Sequence, residues 1–444
     1  MKIKTIFYLF IFLGVGCILN LSCSKDENTS PEPESREEEE VPNPVPNDDI
    51  ITEDPTEEEV KVEFLNANLT YDGYVLINDA GKNRVYIMDK EATILHEWSL
   101  SNNIGNDVVL LPDGRLLASL EADDPLIAFG GKGGKIQFVD KDSRIDWNFE
   151  YATEDYITHH DVEILPNGNV IALVWERMPV ESAQELGWVS EVDIFTEAVI
   201  EINPSTDEIV WEWHAWDHLI QDKDDTKTNY GSVSDNPQLI DINYNSEQED
   251  GDIMHANGIA YDEINDLIYI SVNFYHEVWV IDHSTSTEQA ASSAGGTLGK
   301  GGNLVYRFGN PGAYKNDAGE RLFHNNHFPN LLDGGDLLIF VNMMQGMEQS
   351  AVYELDLPDG LDLRAKENNE PTVTWSFTDP DLYSPKVSGA VLLPNGNTMI
   401  TEGDFGVWEV TPDGEVVWKF SAPGFFWRAY HYDKNAPGLT SLGL

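Results

Sequence analysis

The sequence predicts an all-β chain folded as a six-bladed β-propeller, and three observations lead there. A short unit recurs along the chain: an apolar pair, a tight Pro/Asn/Asp-Gly turn, then a second apolar run. It reads LLPDGRLLA at 110–118, ILPNGNVIA at 164–172, YDEINDLIY at 261–269, LLDGGDLLI at 331–339 and LLPNGNTMI at 392–400, and YDGYVLINDAG at 71–81 makes a sixth. Many units are followed by a second element, a strand, an Asp/Asn-centred turn and a strand ending in an aromatic, as at 85–98, 136–149, 199–213 and 407–420. Helical periodicity is almost absent from about residue 60 onward, where Val-, Ile-, Trp- and Tyr-rich runs alternate with Gly, Asn, Asp and Pro. Each unit and its follower make a four-stranded antiparallel sheet. Repeats of that size predict sheets packed face to face around an axis.

Taken in order, the chain opens with MKIKTIFYLFIFLGVGCILNLSC, two lysines followed by an apolar run too short for a typical spanning helix. This reads as a lipoprotein signal peptide over 1–23 with Cys23 as the lipidated residue, although Asn20 stands where a larger aliphatic residue is more usual. Residues 24–62 read as an acidic, proline-rich tether. Residues 63–444 form the propeller. The only cysteines are Cys17 and Cys23, so the body carries no disulfide and relies on its core. A formal charge of −53 makes nucleic acid and anionic bilayers poor partners. Membrane association is expected only through the lipid. The expected location is the outer membrane, on the cell surface or facing the periplasm.

Two stretches interrupt the repeat, the acidic 217–252 and the Ser/Gly-rich 284–303, and segments of this kind commonly roof a propeller channel. The final FFWRAYHYD (425–433) is suited to closing the ring against the first blade.

Five residues before the leucine of the turn, successive units carry Asn106, His160, His255 (allowing for a longer turn), His327 and Ser388. In a propeller this position lies at the start of each innermost strand, on one rim of the channel, so the side chains converge. A single histidine there is as readily structural as chemical, but three in register argue for a site. Strand alternation turns His159 away from His160 and gives it a structural role. His324 is off register and second to His327. The other histidines fall in outer strands or loops.

At this level the residues resemble a known family. HHDVEILPNGNVIAL, HANGIAYDEINDLIYISV, WVIDHSTST (279–287), LVYRFGNP (304–311) and SGAVLLPNGNTMITEG are similar to the bacterial arylsulfate sulfotransferases, over about 70–433. The resemblance implies a six-bladed propeller that moves a sulfuryl group from a phenolic sulfate ester to a phenolic acceptor through a transiently sulfated histidine. It implies no nucleotide sulfate donor, cofactor or metal. It implies His327 as nucleophile, His160 and His255 as partners that stabilise charge or move protons, and Asn257 as a sulfate-oxygen donor. Asn106, Ser388 and Thr401 become rim contacts to substrate. Two departures stand out. Asn273 occupies the place of an arginine that contacts the sulfate in the family, with His276, Arg307 or Lys300 as replacements, and the nucleophile segment reads LFHNNHFPN (322–330). Two other readings fit the residues: a surface propeller that binds a ligand or glycan without catalysis, and a metal-dependent hydrolase with three histidine ligands.

Overall fold

The computed structural model describes residues 60–444. The signal peptide, Cys23 and nearly all of the tether lie outside the described residues. Strand Lys61–Leu65 straddles the boundary expected at 62/63.

Six antiparallel sheets form the six blades. In order from the axis outward, blade 2 is Ile104–Leu110, Leu116–Glu121, Gly134–Val139 and Ile145–Glu150. Blade 3 is Tyr156–Ile164, Val170–Met178, Ile194–Asn203 and Glu208–His214. Blade 4 is Ala256–Asp262, Leu267–Val272, Glu277–Asp282 and Tyr306–Phe308. Blade 5 is His324–Leu331, Leu337–Met343, Ala351–Asp356 and Thr372–Phe377. Blade 6 is Gly389–Leu392, Thr398–Glu402, Gly406–Val410 and Val416–Ser421, and Lys61–Leu65 adds a fifth strand at its outer edge. Three short helices, five 3-10 turns and a parallel pair, Leu219–Ile220 with Ile240–Asp241, lie outside the blades among the described residues.

Blade 1 is closed from the other end of the chain. Phe426–Tyr432 pairs with Tyr74–Asp79 and takes the innermost place, ahead of Arg84–Met88 and Ile94–Trp98. The unit at 71–81 therefore supplies a second strand, not an innermost one. The ring is closed twice, by a C-terminal strand at the axis of blade 1 and an N-terminal strand at the rim of blade 6, which also leaves few unpaired edges.

The core lies between blades. Strand alternation sends one apolar set to each neighbouring blade, so six clusters fill the six gaps. Trp98, Trp213, Trp279, Trp408 and Trp418 are fully buried there, and Trp175 is fully buried in a smaller cluster with Ile127 and Ile157. The insertions join this packing. Ile240 and Ile242 of the first enter the cluster between blades 3 and 4, and the Trp213 indole donates to the Gly302 carbonyl of the second at 2.7 Å. Both thus brace neighbouring blades.

Innermost strands are irregular where they meet the channel. The pairing slips between Ile104 and Val108 in blade 2, at His160–Asp161 in blade 3, between Ala256 and Gly258 in blade 4 and between His327 and Asn330 in blade 5. His160, His255, Phe328, Val387 and Ser388 have φ of 50°, 53°, 53°, 54° and 84°. Each such residue costs about 1–3 kcal/mol, which the surrounding packing offsets.

One side chain ties the innermost strands together. Arg428, on the closing strand, reaches Asp161 of blade 3 at 2.7 Å, Asp107 of blade 2 at 3.4 Å and the Asn257 carbonyl of blade 4 at 3.1 Å, and its guanidinium lies 4.1 Å from the centre of the Phe328 ring. Asp161 also accepts the Ile259 N–H at 2.7 Å, and the Tyr430 hydroxyl donates to Asp107 at 2.8 Å. Replacing Arg428 with Met leaves two buried carboxylates without their cation. We expect a loss of about 3–5 kcal/mol in urea unfolding followed by tryptophan fluorescence, partly recovered when Asp161→Asn is added.

Candidate active site

Each of the three predicted histidines is held by a different partner, and the partner decides its chemistry. His327 is the clearest. Both amide hydrogens of Asn342 go to carbonyls, Ser384 at 2.9 Å and Val387 at 3.0 Å, so its Oδ1 must accept. His327 Nδ1 lies 2.6 Å from that oxygen and therefore carries the hydrogen, which leaves the lone pair on Nε2. The Val387 N–H donates to Nε2 at 3.2 Å, a long contact. Burial pushes the His327 imidazole down to about 3, so it is neutral at ordinary pH.

His255 is the opposite case. Its Nδ1 bonds the carboxylate of Asp252, and its ring stacks on Phe274 at 4.6 Å. Burial opposes its charging, but the Asp252 carboxylate outweighs burial and holds the imidazole above 6.5. Asp252 ends the first insertion and is fixed by a bridge to Phe195, so that insertion's contribution to the site is a carboxylate.

His160 packs edge-on to His255, ring centres 4.9 Å apart. Its Nδ1 is 2.9 Å from Nδ1 of His159. Burial, and then its histidine neighbours His255, His159 and His327 together with Arg428, hold it well below 6.5. Opposite its Nε2 stands Gly131, at φ 83°, where an added Cβ would collide with that nitrogen. The absent side chain lets the Gly131 backbone pack against the ring. Neither His160 Nε2 nor His255 Nε2 has a hydrogen-bond partner among the described residues, and neither is sealed from solvent.

His159 breaks the expected alternation. The bulge places both histidines on the same side of the strand pairing, so their rings meet instead of opposing. His159 stacks flat on Trp175, centres 3.8 Å apart and 5° from parallel, and its Nε2 meets the Glu197 carboxylate at 2.9 Å.

A family model described as arylsulfotransferase (ASST) matches residues 52–420. The chain belongs to the arylsulfotransferase family. Membership supports an aryl sulfotransferase acting on small aryl substrates. Among curated proteins none matches this chain. Solved structures similar to it include the Pseudomonas aeruginosa periplasmic gluconolactonase PpgL, at 11% identity over 81% of this chain and 99% of that one, with a TM-score of 0.44. A putative 6-phosphogluconolactonase from Bacteroides fragilis matches at 11% identity over 83% and 100%, with a TM-score of 0.42. Hydrazine synthase of Kuenenia stuttgartiensis matches at 16% over 59% of this chain and 62% of that one, with a TM-score of 0.33. None of these carries an argument about function.

In this family member the remaining predicted residues divide. Asn257 and Asn273 both turn their amide groups to the Asn326 carbonyl, at 2.8 and 3.2 Å, between blades 4 and 5. Asn257 Oδ1 is buried without a partner, whereas Asn273 is an inter-blade tie. Ser388 Oγ accepts the Gly403 N–H at 3.1 Å. Asn106 and Thr401 are buried near the axis, and no hydrogen bond among the described residues joins them to the histidines. None of the substitutes for the missing arginine reaches the ring. Arg307 is paired with buried Glu277, Lys300 donates to the Val305 carbonyl and His276 accepts the Asn325 N–H. His324 lies beside His276, ring centres 5.8 Å apart, and has no part in the ring. Among the described residues no group of three or more His, Cys, Asp or Glu side chains is placed to hold a metal ion.

Asp252, Asn342, Glu197 and Arg428 were not among the residues the sequence pattern singled out. A faint signal existed for two of them: a lone polar residue inside the apolar strand LLIFVNM for Asn342, and the one arginine of the closing segment for Arg428. A cavity of about 340 Å³ opens further along the same innermost strands, lined by Asp107, Asp161, Glu163, Phe328, Arg428 and Tyr430, and none of the three histidines lines it.

The Asp252–His255 pair has a definite sign. The folded value lies above the unfolded one near 6.5, so its stabilisation is fully present below that pH and is lost as pH rises through the folded value. In a histidine-resolved NMR titration we expect His255 to titrate above 6.5, and Asp252→Asn to move it down, while His160 and His327 show no protonation near neutrality.

Proposed function

We propose that the protein transfers a sulfuryl group from a phenolic sulfate ester to a phenolic acceptor through a sulfohistidine at His327. The observation that carries the reading is the fixed tautomer of His327, neutral and with its lone pair on Nε2. A neutral imidazole held in this way is a competent nucleophile. The Nε2–S bond forms as the S–O bond to the aryl group breaks. The long contact from Val387 N–H opens as the sulfur approaches. In the second half-reaction the acceptor oxygen attacks the same sulfur and Nε2 leaves.

His255 takes the place of the missing arginine. Held by Asp252, it presents an Nε2–H of an imidazolium to the sulfate oxygens, a charged donor where Asn273 offers none. Asn257, two residues further on, adds the second hydrogen of its amide, the first being given to the Asn326 carbonyl. His160, neutral and open at Nε2, handles the proton of the leaving and entering phenols. We also propose, from the leader residues alone, that the enzyme is lipid-anchored through Cys23 at the outer membrane. Labelling with a fatty acid that persists in Cys23→Ser would dismiss the anchor.

The deciding measurement is release of 4-nitrophenol from 4-nitrophenyl sulfate by the purified protein, with and without phenol, after treatment with a chelator. We expect release that requires phenol, survives chelation and falls by at least about a thousandfold in His327→Ala. Release abolished by chelation would reject this mechanism. The rate should decline as pH rises through the raised value of His255, and Asp252→Asn should move that decline to lower pH. A pH profile unchanged by the substitution would exclude His255 as the charged donor to the sulfate.

A further inference from the structure

His159 and Glu197 sit behind the ring, touch no substrate position and are fully buried, yet they form an unbroken hydrogen-bonded line into it. Glu197 Oε2 meets His159 Nε2 at 2.9 Å, and His159 Nδ1 meets His160 Nδ1 at 2.9 Å. Glu197 Oε1 is occupied by the Ala256 N–H at 2.7 Å, so only Oε2 is free to gain or lose a hydrogen. The stack on Trp175 prevents the His159 ring from turning. Two nitrogens that share one hydrogen bond allow two arrangements of the line. With Glu197 ionised, His159 donates from Nε2 to the carboxylate, His160 donates from Nδ1 to His159, and His160 Nε2 carries a lone pair. With Glu197 protonated, every hydrogen is shifted by one place and His160 Nε2 carries a hydrogen.

We propose that Glu197, His159 and His160 form a proton relay that holds, between the two half-reactions, the proton exchanged between the departing and the entering phenol. The proposal rests on the sulfotransfer reading and supplies it with a proton store. In the first half-reaction the aryl oxygen leaves sulfur and takes the hydrogen from His160 Nε2. His160 Nδ1 receives the hydrogen of His159 Nδ1, and His159 Nε2 receives that of Glu197 Oε2, which becomes a carboxylate. In the second half-reaction the acceptor O–H gives its hydrogen to His160 Nε2 and each transfer reverses. Nothing accumulates over a cycle, and neither ring becomes an imidazolium.

Burial favours the relay, because it raises the Glu197 carboxyl well above its ordinary range and keeps both histidines neutral. The charged and titratable groups that face the line are His255 and Asp252 beside Glu197 and His159, Asp161 near His159, and His327 and Arg428 near His160. The Asp252–His255 pair and the Arg428–Asp161 pair each balance a charge with a charge, which leaves Glu197 as the unbalanced acid of the group.

Nitrogen NMR of the histidine-labelled protein tests the relay without any assay. As pH rises, His160 Nε2 should lose its hydrogen while Nδ1 gains one, and His159 should change in the opposite sense at the same midpoint, with both rings neutral throughout. Glu197→Gln should freeze one arrangement. A single arrangement at every pH, or rings that charge independently, would overturn the proposal, and this arm needs only the wild-type protein should the variant not fold.

Kinetics give the second test. 4-Nitrophenolate leaves without a proton, whereas unsubstituted phenolate needs one. In single turnovers without acceptor, where only the leaving group can call on the relay, Glu197→Gln should therefore slow phenol release from phenyl sulfate at least about thirtyfold more than 4-nitrophenol release from 4-nitrophenyl sulfate. Equal losses on both esters would assign Glu197 a structural role and overturn the relay. Coupled nitrogen shifts in a protein that transfers sulfuryl from neither ester would instead sink the sulfotransferase reading and leave the relay itself standing.

Discussion

The innermost place of the first blade is filled by the last strand, and the channel depends on that. Phe426–Tyr432 closes the ring by pairing with Tyr74–Asp79, and it brings Arg428 to the axis. From there one guanidinium reaches three other blades. Such a cation is stable in a buried place only because Asp161 and Asp107 face it. Burial works against its charge, but the two carboxylates hold its proton more firmly than in water. The spacing of the innermost strands, and with it the distance between histidines from different blades, follows from this cross-tie.

A second constraint is the bulge. A regular strand would point successive side chains to opposite faces, and at most one of His159 and His160 would be near the channel. The slip at His160–Asp161 breaks that rule, and comparable slips in blades 2, 4 and 5 repeat it around the ring. The positive φ values at His160 and His255 are the local cost of aiming these side chains. Inter-blade packing is extensive enough to carry that cost.

Within the ring, three copies of one residue type are held in three different ways because each has a different neighbour. Burial keeps His327 neutral while an amide fixes its tautomer, a carboxylate raises the His255 imidazole above its ordinary value, and a second imidazole links His160 to a remote acid. Asn273 serves as a tie to the Asn326 carbonyl.

Much of the architecture was readable from the chain alone. The recurring apolar pair and tight turn fix where strands begin and end, because turn chemistry and period-two alternation act locally. The shared register of His160, His255 and His327 follows from the same repeat, since equal positions in equal units face the same axis. The chain also carried the closing role of 425–433. Only the tertiary structure decided what those histidines are. Asp252 reaches His255 from the end of an insertion, Asn342 reaches His327 from a neighbouring strand, and Glu197 reaches His159 from the third strand of its blade. Arg428 arrives from the far end of the chain. Protonation state, tautomer and charge depend on contacts between residues distant in sequence and on burial that no local pattern reports, so the sequence marked the register of the histidines and the fold set their surroundings.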